Sequence, residues 1–279
     1  LRRIVHISDV HFGPHFLPEV AEGVLEFIAE REPHLVVISG DLTQRAKPRQ
    51  FREARAFADR IEVPTVVVPG NHDVPLYRFW ERIFSPFGAY SRHFSPELEP
   101  SFHDEEMAVV GINTAFGWTL KDGRITLGRL RRAAEQLGEA PSDRVRLVVL
   151  HHQLIPAPRF GSQRVLTNAW EALELFGRLD VEVVFAGHLH QAWVGLSEGY
   201  YPSGGRPILV VHAGTTTSGR GRGSERGRNT LNVVEIDDKE ITVGHHGWEG
   251  ALGRFIEWSR HRYPRRSRPV YELSSREHR

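Results

Sequence analysis

The 279-residue chain has no cysteine, which excludes disulfides and thiolate metal sites and accords with a reducing compartment; a cytoplasmic location is expected. It also lacks any uninterrupted apolar run near the roughly 20 residues that a membrane-spanning helix requires, so no membrane span is expected. Leu1 leads almost directly into the apolar run Ile4-Val5-His6-Ile7, without the charged and apolar regions of a secretory signal. An excess of one charge is missing too. Lys and Arg number 36 against 35 Asp and Glu, a formal net charge of +1, so no global field calls for a nucleic acid or a membrane surface. A nuclease would want a continuous basic groove, and this balance offers little for one. There are no internal repeats. What remains is ordinary globular composition, 40% hydrophobic and 25% charged, at a length that suits one large α/β domain.

What is present is a repeated design. The apolar run Val66-Val67-Val68 ends in Pro69 and then Gly70-Asn71-His72-Asp73. Asp9-Val10-His11 follows Ile4–Ile7, Gly40-Asp41 follows Leu35–Ile38, His151 follows Leu147–Leu150, and Gly187-His188-Leu189-His190 follows Val183–Ala186. Taken singly, each has an everyday explanation, because Asp and Asn serve turns and helix caps. Five apolar strands that all end in carboxylate, amide or imidazole are another matter. Those three donor types together suit hard and borderline divalent cations. Ligands of open α/β sheets also gather at the carboxyl ends of the strands.

Between these runs the first half alternates strands with helical patterns. Val20, Val24, Phe27 and Ile28 recur at helical spacing, and Pro48 opens a helix carrying Phe51, Ala54, Phe57 and Ile61 on one face. Such alternation predicts a mostly parallel sheet covered on both faces. One helix and irregular connections are expected over 74–100, with Tyr77, Phe79, Trp80, Phe84, Phe87 and Tyr90 packed. Further on, Met107–Asn113 and Arg144–Leu150 read as strands. Leu127–Leu137 reads as a helix with Leu127, Leu130, Ala134 and Leu137 inward, and Asn168 as the N-cap of another. After His190, short strands at Ala192–Leu196, Ile208–His212, Leu231–Ile236 and Ile241–His245, the last two joined by an Asp237-Asp238 turn, are expected to complete a second sheet packed on the first. The domain is expected to occupy 1–258. Residues 259–279, with seven arginines against two glutamates, are expected to form a basic, solvated tail.

In the order of these blocks the sequence resembles the calcineurin-like metallophosphoesterases. The similarity runs from Asp9 to His190 and on through Ala213-Gly214-Thr215 and Asn229 to Ile236. Within that family it looks most like bacterial phosphodiesterases of the cyclic-nucleotide and glycerophosphodiester type. The resemblance implies an α/β fold of two packed mixed β-sheets flanked by helices, a four-layer αββα sandwich. It implies two divalent metal ions, or a mixed-valence pair, drawn from Mn, Fe, Zn and Co. Asp9, His11, Asp41 and His190 would hold one ion, and Asp41, Asn71, His151 and His188 the other, with Asp41 bridging. A hydroxide between the ions would attack phosphorus, and the substrate would be a small phosphate ester, most simply a diester. His72 would act on the leaving oxygen, its tautomer fixed by Asp73.

Of the adjacent pair His151 and His152, family members place the ligand directly after the strand, which selects His151. His152 is then expected behind the metals or facing the phosphate. Selectivity must come from groups around the cleft. The loop Pro156–Thr167 offers Arg159, Phe160 and Arg164, able to meet a phosphate and stack on a base. The glycine-rich loop Ser218–Arg228 offers Arg220, Arg222, Arg226 and Arg228, and is expected to be a mobile surface segment. A phosphomonoesterase or protein phosphatase could use the same metals. A non-catalytic scaffold of the same fold would be expected to have lost ligands, and here every matching position is filled. The sequence carries no sign of oligomeric state.

Overall fold

The computed structural model describes residues 1–119, 121–157, 164–201 and 206–265. The chain opens with β1 (Arg2–Ile7), α1 (Pro18–Arg31), β2 (Leu35–Ile38), α2 (Pro48–Ala58) and β3 (Thr65–Val67). Pro18 and Pro48 each sit at the first helical turn, where the missing N–H costs nothing. Two six-residue helices follow, α3 (Phe79–Phe84) and α4 (Gly88–His93), then β4 (Ser101–His103), β5 (Met107–Gly111), α5 (Leu127–Glu139), β6 (Val145–Val149), α6 (Ala169–Arg178) and β7 (Val181–Ala186). The last third holds β8 (Trp193–Leu196), β9 (Leu209–His212), β10 (Thr230–Ile236), β11 (Glu240–Glu249) and β12 (Arg254–Pro264).

The strands form two six-stranded mixed sheets, ordered β12-β11-β10-β1-β2-β3 and β4-β5-β6-β7-β9-β8. In the first, β1, β2 and β3 are parallel; in the second, β5, β6, β7 and β9 are. Side-chain alternation builds three cores from these sheets. Ile4, Leu35 and Val37 meet Val109, Leu147, Val183 and Phe185 between the sheets. Val5, Ile7, Val36 and Ile38 face the other way, onto Val24, Phe27, Phe51 and Phe57 of α1 and α2. Val148 and Val184 pack on Leu130, Leu173 and Phe176 of α5 and α6. The result is the four-layer αββα sandwich.

Several sequence expectations shift. Strands β8 and β9 join the second sheet as expected, but β10 and β11 join the first: β10 runs antiparallel to β1, with Ile4 opposite Val234. It covers the edge that β1 would otherwise expose. The boundary expected after 258 falls inside β12, which pairs with β11 along its length; residues 266–279 lie outside the described residues. In α5 the buried residues are Leu130, Ala133 and Leu137, while Leu127, first residue of the helix, is exposed. Asn168 precedes α6 without capping it; its amide is spent on the backbone of Ile125, at 3.1 and 2.8 Å.

The aromatic stretch departs most. Phe87 and Tyr90 are buried, but Tyr77, Phe79, Trp80 and Phe84 are 62–78% exposed. Helix α3 docks through a polar residue, Arg82, which donates to the carbonyls of Pro75, at 2.9 Å, and Thr119, so its aromatic face is left outside. Among the described residues no helix is long and apolar enough to cross a membrane.

Candidate metal centre

The carboxyl ends of β1, β2, β3, β6 and β7 converge, and all seven side chains singled out as ligands meet there. Asp9 Oδ1 lies 3.1 Å from His190 Nε2 and 3.6 Å from His11 Nε2. The two histidine Nε2 atoms are 3.1 Å apart, and Asp41 Oδ2 is 3.7 Å from His11 Nε2. On the other side Asp41 Oδ1 is 3.4 Å from His151 Nε2. Asn71 Oδ1 is 3.1 Å from that same nitrogen and 2.9 Å from His188 Nδ1. The two oxygens of Asp41 thus face opposite groups, a placing that lets one carboxylate serve both.

The local backbone is bent to achieve this. Asp9, His11, Asp41, His188 and His190 have φ of 51°, 52°, 52°, 74° and 56°, a left-handed conformation that is uncommon outside glycine and that concentrates at functional sites. Glycines permit the close approach of the loops. Gly40 has φ of +97°, and a Cβ there would meet the His151 ring at 2.6 Å; a Cβ on Gly70 would meet Asp41 Oδ1 at 2.1 Å.

These atoms fit a cation. His190 Nδ1 faces the Arg220 carbonyl at 2.9 Å, His151 Nδ1 that of Ser39 at 2.8 Å, and His11 Nδ1 that of Thr43 at 3.4 Å. A ring N–H donates to each carbonyl, which leaves Nε2 of each ring with a bare lone pair turned inward. Asp9 Oδ1 and Asp41 Oδ2 are buried without a hydrogen-bond partner. Lone pairs crowded to 3.1–3.7 Å repel one another unless a positive charge sits among them. The electrostatics agree. Burial would raise both carboxyls, but the surrounding histidines hold Asp9 and Asp41 well below the usual range. Burial would equally keep His151 neutral, yet Asp41 and Asp9 outweigh it and lift its pKa to about 9, so that without an ion a proton on Nε2 supplies the positive charge that a bound cation would replace.

The residues around this cluster depart from the sequence reading. Asp73 does not touch the His72 ring. It accepts from Gly70 N at 2.9 Å, Leu42 N at 3.1 Å, and Thr43 N and Oγ1 at 2.8 and 3.0 Å, so it staples the loop carrying Asp41 to the turn carrying Asn71. Burial, and then Asp41, push its pKa up to about 7. The ring of His72 is oriented instead by the Gln44 carbonyl, 3.0 Å from Nδ1, which turns Nε2 toward the cleft. His152 is buried, and of the two places expected for it the one behind the metals is compatible with that. Its Nδ1 meets Thr114 Oγ1 at 2.7 Å, and its ring stands 4.6 Å from that of His188. Arg159 and Phe160 lie outside the described residues, and Arg164 is exposed, 3.4 Å from Asp122.

Arg220 is the residue that sequence reasoning named but did not tell apart from Arg222, Arg226 and Arg228. The loop expected to be mobile is tied down: Gly219 N donates to His15 O at 2.9 Å, Arg222 N to His190 O at 3.2 Å, and Asn229 Nδ2 to Ser218 O at 2.9 Å. Arg228 is held outside, its guanidinium 5.1 Å from the Trp258 ring centroid, while Arg220 turns inward. Its Nη1 is 3.3 Å from both His72 Nε2 and Gln44 Oε1. Glycines flank Arg220, but they flank Arg222 as well, so no signal in the sequence separates the two.

Comparison with known proteins gives the arrangement a context. The model of a family described as calcineurin-like phosphoesterase matches residues 2–192. A probable cyclic nucleotide phosphodiesterase of Synechococcus is 27% identical over 206 residues, covering 68% of this chain and 74% of that protein. The glycerophosphodiester phosphodiesterase GpdQ of Enterobacter lignolyticus is 25% identical over 211 residues, covering 67% and 70%. Among solved structures, a dimetal phosphatase from Danio rerio aligns over 92% of this chain and 98% of its own, with a TM-score of 0.61 at 13% identity, a likeness of fold.

Proposed function

This chain belongs to the calcineurin-like phosphoesterase family, and from that premise we propose that it hydrolyses small phosphodiesters, cyclic nucleotides among them, with the help of two metal ions. The observation that carries this reading is the pair of opposed donor groups, Asp9, His11 and His190 on one side and Asn71, His151 and His188 on the other, joined by the two oxygens of Asp41. The phosphodiesterases of Synechococcus and Enterobacter support the choice of diester.

In this reading the first group with Asp41 holds one ion, and the second group with Asp41 holds the other. Nitrogen and oxygen donors without thiolate suit Mn, Fe, Zn or Co. Bound there, two such ions would polarise the phosphoryl oxygens and make a water acidic enough to attack near neutral pH. The chain's own groups do the rest. The carbonyls of Ser39, Thr43 and Arg220 fix the histidine rings, and Asp73 holds two ligand loops in register. His72 presents Nε2 to the departing oxygen. With Nδ1–H committed to Gln44, Nε2 carries a proton only in the imidazolium form, which burial opposes and Asp41 favours. The absence of cysteine suits a cytoplasmic setting.

Protein prepared without chelator and analysed for metal, then assayed on bis(4-nitrophenyl) phosphate, 4-nitrophenyl phosphate and a cyclic nucleotide, tests this directly. About two ions per chain and faster hydrolysis of the diesters are expected; preference for the monoester would overturn the diester assignment. His72→Ala should keep its metals and lose about 10²–10⁴-fold in rate, with a smaller loss on nitrophenyl esters than on a substrate with an alkoxide leaving group. Equal losses on both would reduce His72 to a positioning group.

A further inference from the structure

The two metal positions account for the carboxylates and imidazoles of the centre, but leave one charged side chain in it unexplained. Arg220 is half-buried, and its Nη1 reaches Gln44 Oε1, His72 Nε2 and His11, all at 3.3–3.4 Å. Among the described residues it forms no ion pair with a carboxylate. Burial without a directly paired carboxylate is costly for a guanidinium; Asp41 and Asp9 offset part of that cost at longer range, while Arg222 and Arg45 add like charge. Structural arginines in this protein are tied to oxygens of the fold: Arg265 is paired at 2.6 and 3.0 Å with both oxygens of Glu182, and Arg82 is docked on the carbonyls of Pro75 and Thr119.

Its position on His11 is informative. Nη1 lies 3.4 Å from Nδ1 and 3.3 Å from Nε2 of that ring. A point equally far from both nitrogens and in the ring plane would collide with ring carbons, so Nη1 sits over the ring face. The guanidinium therefore does not compete for the in-plane Nε2 lone pair that turns toward Asp9, Asp41 and His190. It borders the metal positions on the side that His72 also borders. The backbone explains why it stays there. The carbonyl of Arg220 accepts from His190 Nδ1 and the next residue but one donates to His190 O, so the residue is anchored at both faces of a ligand strand end.

We propose that Arg220 is the phosphoryl-binding cation of this site: it receives a non-bridging oxygen of the substrate's phosphoryl group beside His72, and the Gln44 amide oxygen holds it ready. The inference rests on the phosphoesterase reading for its substrate, but not for its anion chemistry. A planar guanidinium can give two parallel N–H donors to a phosphoryl group, which an ammonium cannot. Because the contact would be made to ground state and transition state alike, its loss should appear chiefly as a raised KM, with kcat little changed.

The test uses the metal-loaded full chain, with inorganic phosphate and bis(4-nitrophenyl) phosphate as probes. Arg220→Ala and Arg220→Lys change only the side chain and leave the carbonyl on His190 in place. Metal content of both variants should equal that of the unaltered protein. Calorimetric affinity for inorganic phosphate should fall about 10- to 100-fold in Arg220→Ala, the usual worth of a charged hydrogen bond, with partial recovery in Arg220→Lys. Phosphate affinity within twofold of the unaltered protein would overturn the proposal. Loss of metal in Arg220→Ala would also overturn it, by making the residue a prop for His11 and His190. If the unaltered protein hydrolyses no ester yet binds phosphate in an Arg220-dependent way, the proposed function fails and this assignment stands.

Discussion

The two halves of the proposed metal centre share Asp41 and little else. The half built on Asp9, His11 and His190 is sealed: these side chains are 0–2% exposed, and all three residues have φ between 51° and 56°. It counts two carboxylates with Asp41. In the half built on Asn71, His151 and His188, Asn71 and His188 are only half-buried, and only His188 has a positive φ. A neutral amide there takes the place of the second carboxylate. Since affinity for a hard cation rises with ligand charge and site rigidity, the first half should hold its ion tightly and the second should exchange. Strain and burial have gone into the first half, and exposure into the second.

The comparison breaks hardest at the shared residue. Asp41→Ala should empty both halves together and lower the rate by at least about 10²–10³-fold, the cost of losing one preorganised electrostatic contact. Metal analysis alongside kinetics checks it; a variant with two ions and near-normal turnover would remove the bridge from the account.

Single-half substitutions sharpen the contrast. Asp9→Ala should cost the tightly held ion, whereas Asn71→Ala should leave one ion per chain after dialysis and lose only the exchangeable one. A smaller change reverses the asymmetry. Asn71→Asp adds a carboxylate to the open half and should tighten its ion by about tenfold, at the level one added ligand charge provides. Titration of the metal-stripped protein would show two separated binding phases in the unaltered chain and a narrower gap in Asn71→Asp. Equal affinities before the change would contradict the comparison.

The smallest effect concerns the floor under the sealed half. His6 of β1 meets Ser39 Oγ at 2.9 Å, and His212 of β9 faces the Gly187 carbonyl at 3.3 Å. Burial pushes both down from 6.5 to about 3, with Asp9 opposing and, for His6, His212 and His245 assisting. Because the unfolded chain binds these protons first, their contribution to stability is complete above pH 6.5 and lost as pH falls toward 3. Each adds a slope of about 1.4 kcal/mol per pH unit in that window. Urea unfolding at pH 7 and pH 5 should show this loss, and His6→Gln should reduce it by about one proton's worth.

Much of this was legible in the sequence, for a physical reason. Apolar strands announce themselves, and a carboxylate, amide or imidazole at the end of a parallel strand has one direction to go; Asp9, Asp41, Asn71, His151 and His188 are all of this kind. What was not legible depends on contacts distant in sequence. No local pattern says that β10 pairs with β1 rather than with the second sheet. The aromatics of α3 read as core until Arg82 takes over the docking of that helix. Asp73 sits beside His72 in sequence, yet the ring is held by Gln44 while Asp73 turns to Leu42 and Thr43. Which arginine of a glycine-rich loop faces inward is set by backbone bonds to His15 and His190, and Arg220 looked no different from Arg228.

The central claim is that one carboxylate joins two unlike metal positions. Anomalous diffraction from crystals soaked in Mn²⁺, measured at the manganese absorption edge, tests it most directly. Two peaks about 3.5–4 Å apart, one on either side of the Asp41 carboxyl, are expected. The peak beside Asp9, His11 and His190 should persist at low metal concentration, when the one beside Asn71, His151 and His188 has faded. A single peak at any concentration, or two that do not share Asp41, would contradict the account.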